Sequence, residues 1–126
     1  MKEIIDWKKS IGLVATMGAL HDGHMALIKK SQQENDITVV SIFVNKTQFN
    51  NFDDYQNYPD TFKSDMTKLE TASVDILFMP ELKDMYPDEY QFEVKEKSFS
   101  KELCGVDRPG HFAGVATVVA RFFELI

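Results

Sequence analysis

Three short apolar runs rich in β-branched residues punctuate the chain, and two helical patterns separate them. The first run, IGLVAT (Ile11–Thr16), is continuous rather than alternating, as a strand covered on both faces requires. The second, ITVVSIFVN (residues 37–45), is the strongest strand signal, and the third is VDILFMP (residues 74–80). Between the first two, HMALIKKSQQEN predicts a helix with Met25, Leu27 and Ile28 on its inner face. Between the second and third, Asp60 is placed to N-cap a helix over TFKSDMTKLETA, with Phe62, Met66 and Leu69 at i, i+4 and i+7. Strand, helix, strand, helix, strand with short connections predicts a parallel sheet in an α/β fold, with right-handed crossovers. In such a sheet, ligands bind beyond the carboxyl ends of the strands. Two polar loops directly follow the first and second strands, so both are expected at that edge.

The remainder is less regular. QFEVKE (residues 91–96) reads as a small extra strand and SFSKELC as a helical turn. The last segment, GVATVVARFFELI, sets Val115, Val118, Val119, Phe122, Phe123 and Ile126 at helical spacing and stops without a cap. That unfinished pattern reads as a chain cut inside a larger architecture. With 44% apolar residues, a buried core is within reach, and a net charge of −6 argues against a duplex nucleic-acid binder. Cys104 is the only cysteine, so no disulfide can form within one chain, and it reads as a buried structural thiol. The amino terminus has no signal-peptide pattern, and no apolar run nears the ~20 residues of a membrane span. A soluble, cytoplasmic protein is expected.

The stretch TMGALHDGH places His21 and His24, two of three histidines in the chain, between the first strand and the first helix. A zinc site needs about four ligands, and no third His or Cys lies nearby, so no metal ligands are assigned. A loop entering a helix presents backbone N–H groups at a positive dipole end, which suits phosphates, and Gly18 and Gly23 would let them approach. Two imidazoles could then donate hydrogen bonds to oxygens that gain charge. The alternative is a tight turn whose histidines cap backbone groups. Spacing alone leaves both open.

TMGALHDGH resembles the H-x-G-H signature of the nucleotidyltransferase superfamily. VSIFVNKTQF, NYP before a helix, VDILFMP, MYP and RPGHFAGVATVV resemble, in the same order, further signatures of the pantothenate synthetase (pantoate–β-alanine ligase) family. The resemblance implies a Rossmann-like parallel sheet flanked by helices, of nucleotidyltransferase type but incomplete relative to the family. Residues 1–126 would form a partial amino-terminal nucleotide-binding domain, with the carboxy-terminal part absent. It implies ATP-dependent condensation of pantoate with β-alanine through a pantoyl adenylate, releasing AMP and pyrophosphate. ATP serves as substrate, and Mg²⁺ is carried on its phosphates. By motif, ATP would be bound by Met17, Gly18, Ala19, Leu20, His21, Asp22, Gly23 and His24, with His21 and His24 catalytic and His24 the proton donor. Pantoate and β-alanine would be held by Gln48, Asn45, Tyr58, Phe43, Val118 and Val119. Phe43 and the two valines would serve equally as core in any α/β domain. His111 reads as structural, and Arg108 either pairs with a phosphate or forms a surface ion pair. A homodimer is the family expectation, with no nucleic-acid or membrane partner.

The sequence also departs from the family. Ala15 and Lys46 stand where prolines usually rigidify the two loops. A lysine-containing G-x-K-D loop, a second pantoate-binding glutamine and a serine- and arginine-bearing loop are not in the chain. Charge stabilisation on the triphosphate would then be incomplete, and little synthetase activity is expected from this chain alone. The other readings are a different H-x-G-H nucleotidyltransferase and a catalytically silent ligand-binding fragment.

Overall fold

Along the chain run β1 (Ile11–Thr16), α1 (Asp22–Glu34), β2 (Ile37–Ile42), a 3-10 turn (Lys46–Gln48), α2 (Phe52–Gln56) and α3 (Phe62–Thr71). They are followed by β3 (Ile76–Phe78), α4 (Leu82–Met85), a second 3-10 turn (Phe99–Lys101), α5 (Cys104–Asp107) and α6 (His111–Leu125). The computed structural model describes residues 8–126 apart from 88, 90, 103 and the side chain of Cys104. The burial expected for Cys104, and the segment before residue 8, lie outside the described residues. The chain divides into two compact units, one running through Val44 and including Pro59–Pro80, the other made of Asn45–Tyr58 and Glu81–Ile126.

In the first unit, β1 and β2 are parallel, with Ile11 opposite Ile37 and Thr16 opposite Ile42. β3 pairs parallel on the other side of β2, with Val39 opposite Ile76, so the strand order is β1-β2-β3. The bounds of β1 are those its apolar run predicts. β2 and β3 are shorter than their runs, because an apolar run reports burial whereas a strand also needs a partner at each ladder position. α1 and α3 supply Ile28 and Leu69 to a cluster with Val14, Leu20 and Val40. Each such side chain contributes about 1.5–3 kcal/mol on burial.

Both helical stripes need correction. Leu27 is 58% exposed and Phe62 46% exposed, while Ser31 and Asp65 are buried. The polar residues are tolerated inside because they are paired: Ser31 Oγ shares a hydrogen bond with Thr38 Oγ1 at 2.8 Å. α1 also begins two residues earlier than predicted, at Asp22. The residue capping α3 is Thr61 rather than Asp60, although Asp60 Oδ1 accepts the Phe62 N–H at 3.3 Å. Thr61 makes no side-chain cap because its hydroxyl is turned to Asp65.

In the second unit, α6 packs on the first 3-10 turn. A Cβ on Gly114 would sit 2.6 Å from the Thr47 carbonyl oxygen, so this contact requires glycine. Residues 91–96 form no strand. The Val94 N–H goes instead to Thr117 Oγ1 at 2.9 Å, which removes it from any ladder. The Glu96 carboxylate accepts the N–H groups of Ser98 (2.6 Å) and Ser100 (2.7 Å), and these bonds hold its pKa down to about 2. Of the residues set at helical spacing in the last segment, Val118, Phe122 and Ile126 are buried, but Phe123 is 70% exposed. Among the described residues, no helix is long and apolar enough to cross a membrane.

Candidate functional site

The loop leaving β1 is held by side chains from its surroundings. Thr16 Oγ1 donates to the Ser41 carbonyl (2.7 Å) and accepts the Gly18 N–H (3.1 Å). Gly18 (φ 85°) and Ala19 (φ 52°) are consecutive left-handed residues. Glycine adopts this conformation freely, whereas at an alanine it costs roughly 1–2 kcal/mol. The offset comes from α3. Asp65, 1% exposed, accepts the Ala19 N–H at 2.9 Å and the Leu20 N–H at 2.8 Å, one on each carboxylate oxygen. The Thr61 hydroxyl donates to Asp65 at 2.8 Å and accepts the Ala19 N–H at 3.0 Å. One turn along α3, the Lys68 ammonium donates to the Leu20 carbonyl.

His21 and His24 form a reciprocal cap on α1. His21 Nδ1 accepts the Gly23 N–H at 3.1 Å, and His24 Nδ1 accepts the His21 N–H at 3.3 Å. The two ring centroids are 4.1 Å apart. An Nδ1 that accepts must carry no proton, so both neutral rings are Nε2–H tautomers and offer that group as a donor. Burial holds His24 below the ordinary imidazole value of 6.5, helped by the neighbouring His21 and Lys68 and opposed by Asp65. This geometry corrects the expectation of free backbone N–H groups: those of Gly18, Ala19, Leu20, His21 and Gly23 are all taken within the loop and by α3. The two imidazoles are the side-chain donors that the loop keeps after these bonds are made. Asp22 and Gly23 are exposed and Met17 is half-buried beside them. Among the described residues, no three His, Cys, Asp or Glu side chains gather around a common point.

The other candidates are distributed between the two units. In the first, Phe43 is 8% exposed, and its N–H donates to the Thr16 carbonyl at 3.0 Å. In the second, Asn45 is a buried hub. Its Nδ2 donates to Gln48 Oε1 (3.1 Å) and the Gly114 carbonyl (3.3 Å). Its Oδ1 accepts from Thr47 Oγ1 (2.9 Å) and the Tyr86 hydroxyl (2.8 Å). His111 Nδ1 donates to the Gln48 carbonyl at 2.8 Å, so the ring fixes the turn that carries Gln48 and does not cap α6. The Arg108 carbonyl accepts the His111 N–H at 3.1 Å. Tyr58 stacks edge-on against Phe49, 5.9 Å between centroids. A cavity of about 390 Å³ opens beside Thr47, Phe49, Tyr86 and Gly114. Val118 is buried core, while Val119 faces a separate apolar groove with Phe112 and Val115.

A family model described as pantoate-beta-alanine ligase matches residues 1–126. The chain belongs to the pantoate-beta-alanine ligase family. It is 50% identical over 125 residues to the pantothenate synthetase of Thermosipho africanus (strain TCF52B), covering 99% of this chain and 45% of that protein. To the Thermosipho melanesiensis pantothenate synthetase it is 52% identical over 118 residues, covering 94% of this chain and 42% of that protein. The pantoate-beta-alanine ligase from Francisella tularensis, solved in complex with beta-gamma ATP and beta-alanine, superposes with a TM-score of 0.91 at 47% identity. That match covers 97% of this chain and 47% of the other. The Thermus thermophilus pantothenate synthetase gives a TM-score of 0.86 at 44% identity, over 93% of this chain and 43% of that one. The chain thus spans less than half the length of these relatives. Its parallel sheet flanked by helices is the nucleotidyltransferase-type fold of the ligase family, incomplete relative to the whole.

Three residues that grip the ligase-family loop were missed in the sequence. Thr61, Asp65 and Lys68 stand at i, i+4 and i+7, one position before the stripe of Phe62, Met66 and Leu69. A polar stripe on an amphipathic helix ordinarily reads as solvated surface. The signal available was the residue types: a short acid, a hydroxyl and a cation on one face, flanking a buried leucine. Tyr86, 4% exposed with its hydroxyl on Asn45, was likewise unforeseen.

Proposed function

We propose that this chain carries the nucleotide-handling loop and part of the acid-binding pocket of an ATP-dependent ligase joining pantoate to β-alanine. The observation that supports it most is the paired cap of His21 and His24, which leaves two Nε2–H donors beyond the carboxyl end of β1. In this reading the pantoate carboxylate oxygen attacks the α-phosphorus of ATP, and the bond to pyrophosphate breaks. The two imidazoles donate hydrogen bonds to phosphate oxygens as charge moves onto the leaving group. A lowered pKa suits that task, because it keeps His24 neutral, with Nε2–H intact and Nδ1 still capping, at neutral pH. In this reading His24 therefore acts as a hydrogen-bond donor in place of the proton donor that the resemblance implies. The β-alanine amine then attacks the acyl carbon and AMP leaves.

Gln48 offers a donor and an acceptor to a hydroxy acid, with Asn45 and His111 fixing its turn. Tyr58, Phe43, Val118 and Val119 are the remaining pantoate candidates. Mg²⁺ would arrive on the phosphates, which supply its hard oxygen ligands. The lysine and arginine that the family resemblance adds to this charge stabilisation are not in the sequence, so the chain alone should bind its substrates yet turn over slowly.

The test is pantoate-dependent exchange of labelled pyrophosphate into ATP, run beside AMP release with all three substrates. The reading expects ATP and pantoate binding by calorimetry, with exchange and AMP release far below those of a full-length relative. Turnover matching a full-length relative would contradict the expectation of slow turnover. Absence of both ATP and pantoate binding would contradict the assignment itself.

A further inference from the structure

We propose that Asp65 is the positioning residue of the histidine loop, its buried carboxylate holding Gly18 and Ala19 left-handed so that both Nε2–H groups face a ligand. The functional part of this rests on reading the loop as a phosphate site.

Three observations carry it. The two carboxylate oxygens are divided between the N–H groups of Ala19 and Leu20, at 2.9 and 2.8 Å, which is how an anion would seat on that backbone. The loop's own anion site is therefore filled from within, and the imidazoles become its outward chemistry. Ala19 has a Cβ and yet adopts a φ of 52°, a conformation that needs support from outside the loop. Finally, α3 holds the opposite polarity of the same segment, because Lys68 takes the Leu20 carbonyl. Leu20 is thereby fixed at both its N–H and its carbonyl, one residue before the histidine cap begins. Asp65 itself touches no substrate and acts through the loop.

The bland alternative is a buried acid that merely satisfies its own hydrogen bonds. Asp65→Asn separates the two. Asparagine keeps the size but has one acceptor oxygen, so a donor must face one of the two N–H groups. In wild type, ¹⁵N NMR of the histidine rings should give the Nε2–H tautomer at both His21 and His24. In folded Asp65→Asn the rings should shift toward a tautomer mixture, and the affinity for the β,γ-imido analogue of ATP should fall about tenfold to a hundredfold. Thr61→Val, which removes one donor to the same carboxylate, should move both readouts part of the way. Wild-type tautomers and affinity in both variants would overturn the proposal. So would an unfolded Asp65→Asn alongside a Thr61→Val indistinguishable from wild type. If wild type binds no ATP analogue, the functional reading fails, while the tautomer measurement still decides whether Asp65 positions the loop.

Discussion

Replacing Asn45 by aspartate should cost the second unit about 3 kcal/mol. The side chain is 1% exposed and makes four hydrogen bonds, two donated and two accepted. Aspartate keeps the acceptor half, so the hydroxyls of Thr47 and Tyr86 retain their partner and bond somewhat more strongly to a charge. The donor half is lost, and a carboxylate oxygen then faces Gln48 Oε1 and the Gly114 carbonyl. Two lost hydrogen bonds at roughly 0.5–1.5 kcal/mol each, the repulsion between the facing oxygens and the burial of a charge together outweigh the strengthened pair. With a urea m-value of about 1–2 kcal/mol/M for a small protein, the unfolding midpoint should fall by about 2 M. Urea titration followed by circular dichroism, with amide exchange in α6 as a local probe, reads this at pH 7. Part of the loss should return in acid, where the introduced carboxyl protonates and regains one donor. An Asn45→Asp protein within about 0.5 kcal/mol of wild type at pH 7 would refute the hub, that figure being the usual range for an inert surface change.

Three further outcomes follow from the same geometry. His24 has a lowered pKa in the folded chain, so its neutral form is the one folding favours; stability should be full above about pH 6.5 and decline as pH falls below that value, and His24→Asn should flatten the decline in melting temperature measured from pH 8 to pH 5. Gly114→Ala puts a Cβ against the Thr47 carbonyl, 2.6 Å away, where backbone must yield, and should lower stability by about 1–3 kcal/mol in urea titration. Glu96, held down to about 2 by its bonds to Ser98 and Ser100, should order residues 98–100 above its ordinary value of 4.5 and release them as pH falls toward 2. Glu96→Gln should therefore speed amide exchange there at neutral pH and differ less from wild type in acid.

Much of the first unit is legible in the sequence because its strands are continuous apolar runs and its helices carry apolar stripes. β1 begins and ends where IGLVAT does. The stripes mislead at Leu27 and Phe62, since apolar periodicity counts carbon and cannot see that Ser31 and Asp65 have partners inside. The histidine loop was legible as a motif but not as a geometry. Capping and phosphate contact looked like rival explanations, whereas the two nitrogens of an imidazole allow both at once. Residues 91–96 alternate like a strand, yet the Val94 N–H is taken by a side chain on α6, a long-range competitor that no local pattern encodes.

If His21 and His24 present Nε2–H to the phosphates of ATP, their ring nitrogens must respond to the nucleotide. The deciding measurement is a titration of ¹⁵N-labelled chain with the β,γ-imido analogue of ATP and Mg²⁺, following those nitrogens. Saturable shifts at both Nε2 atoms, with both Nδ1 atoms remaining acceptors, are the predicted result. Binding that leaves both imidazoles undisturbed would contradict it.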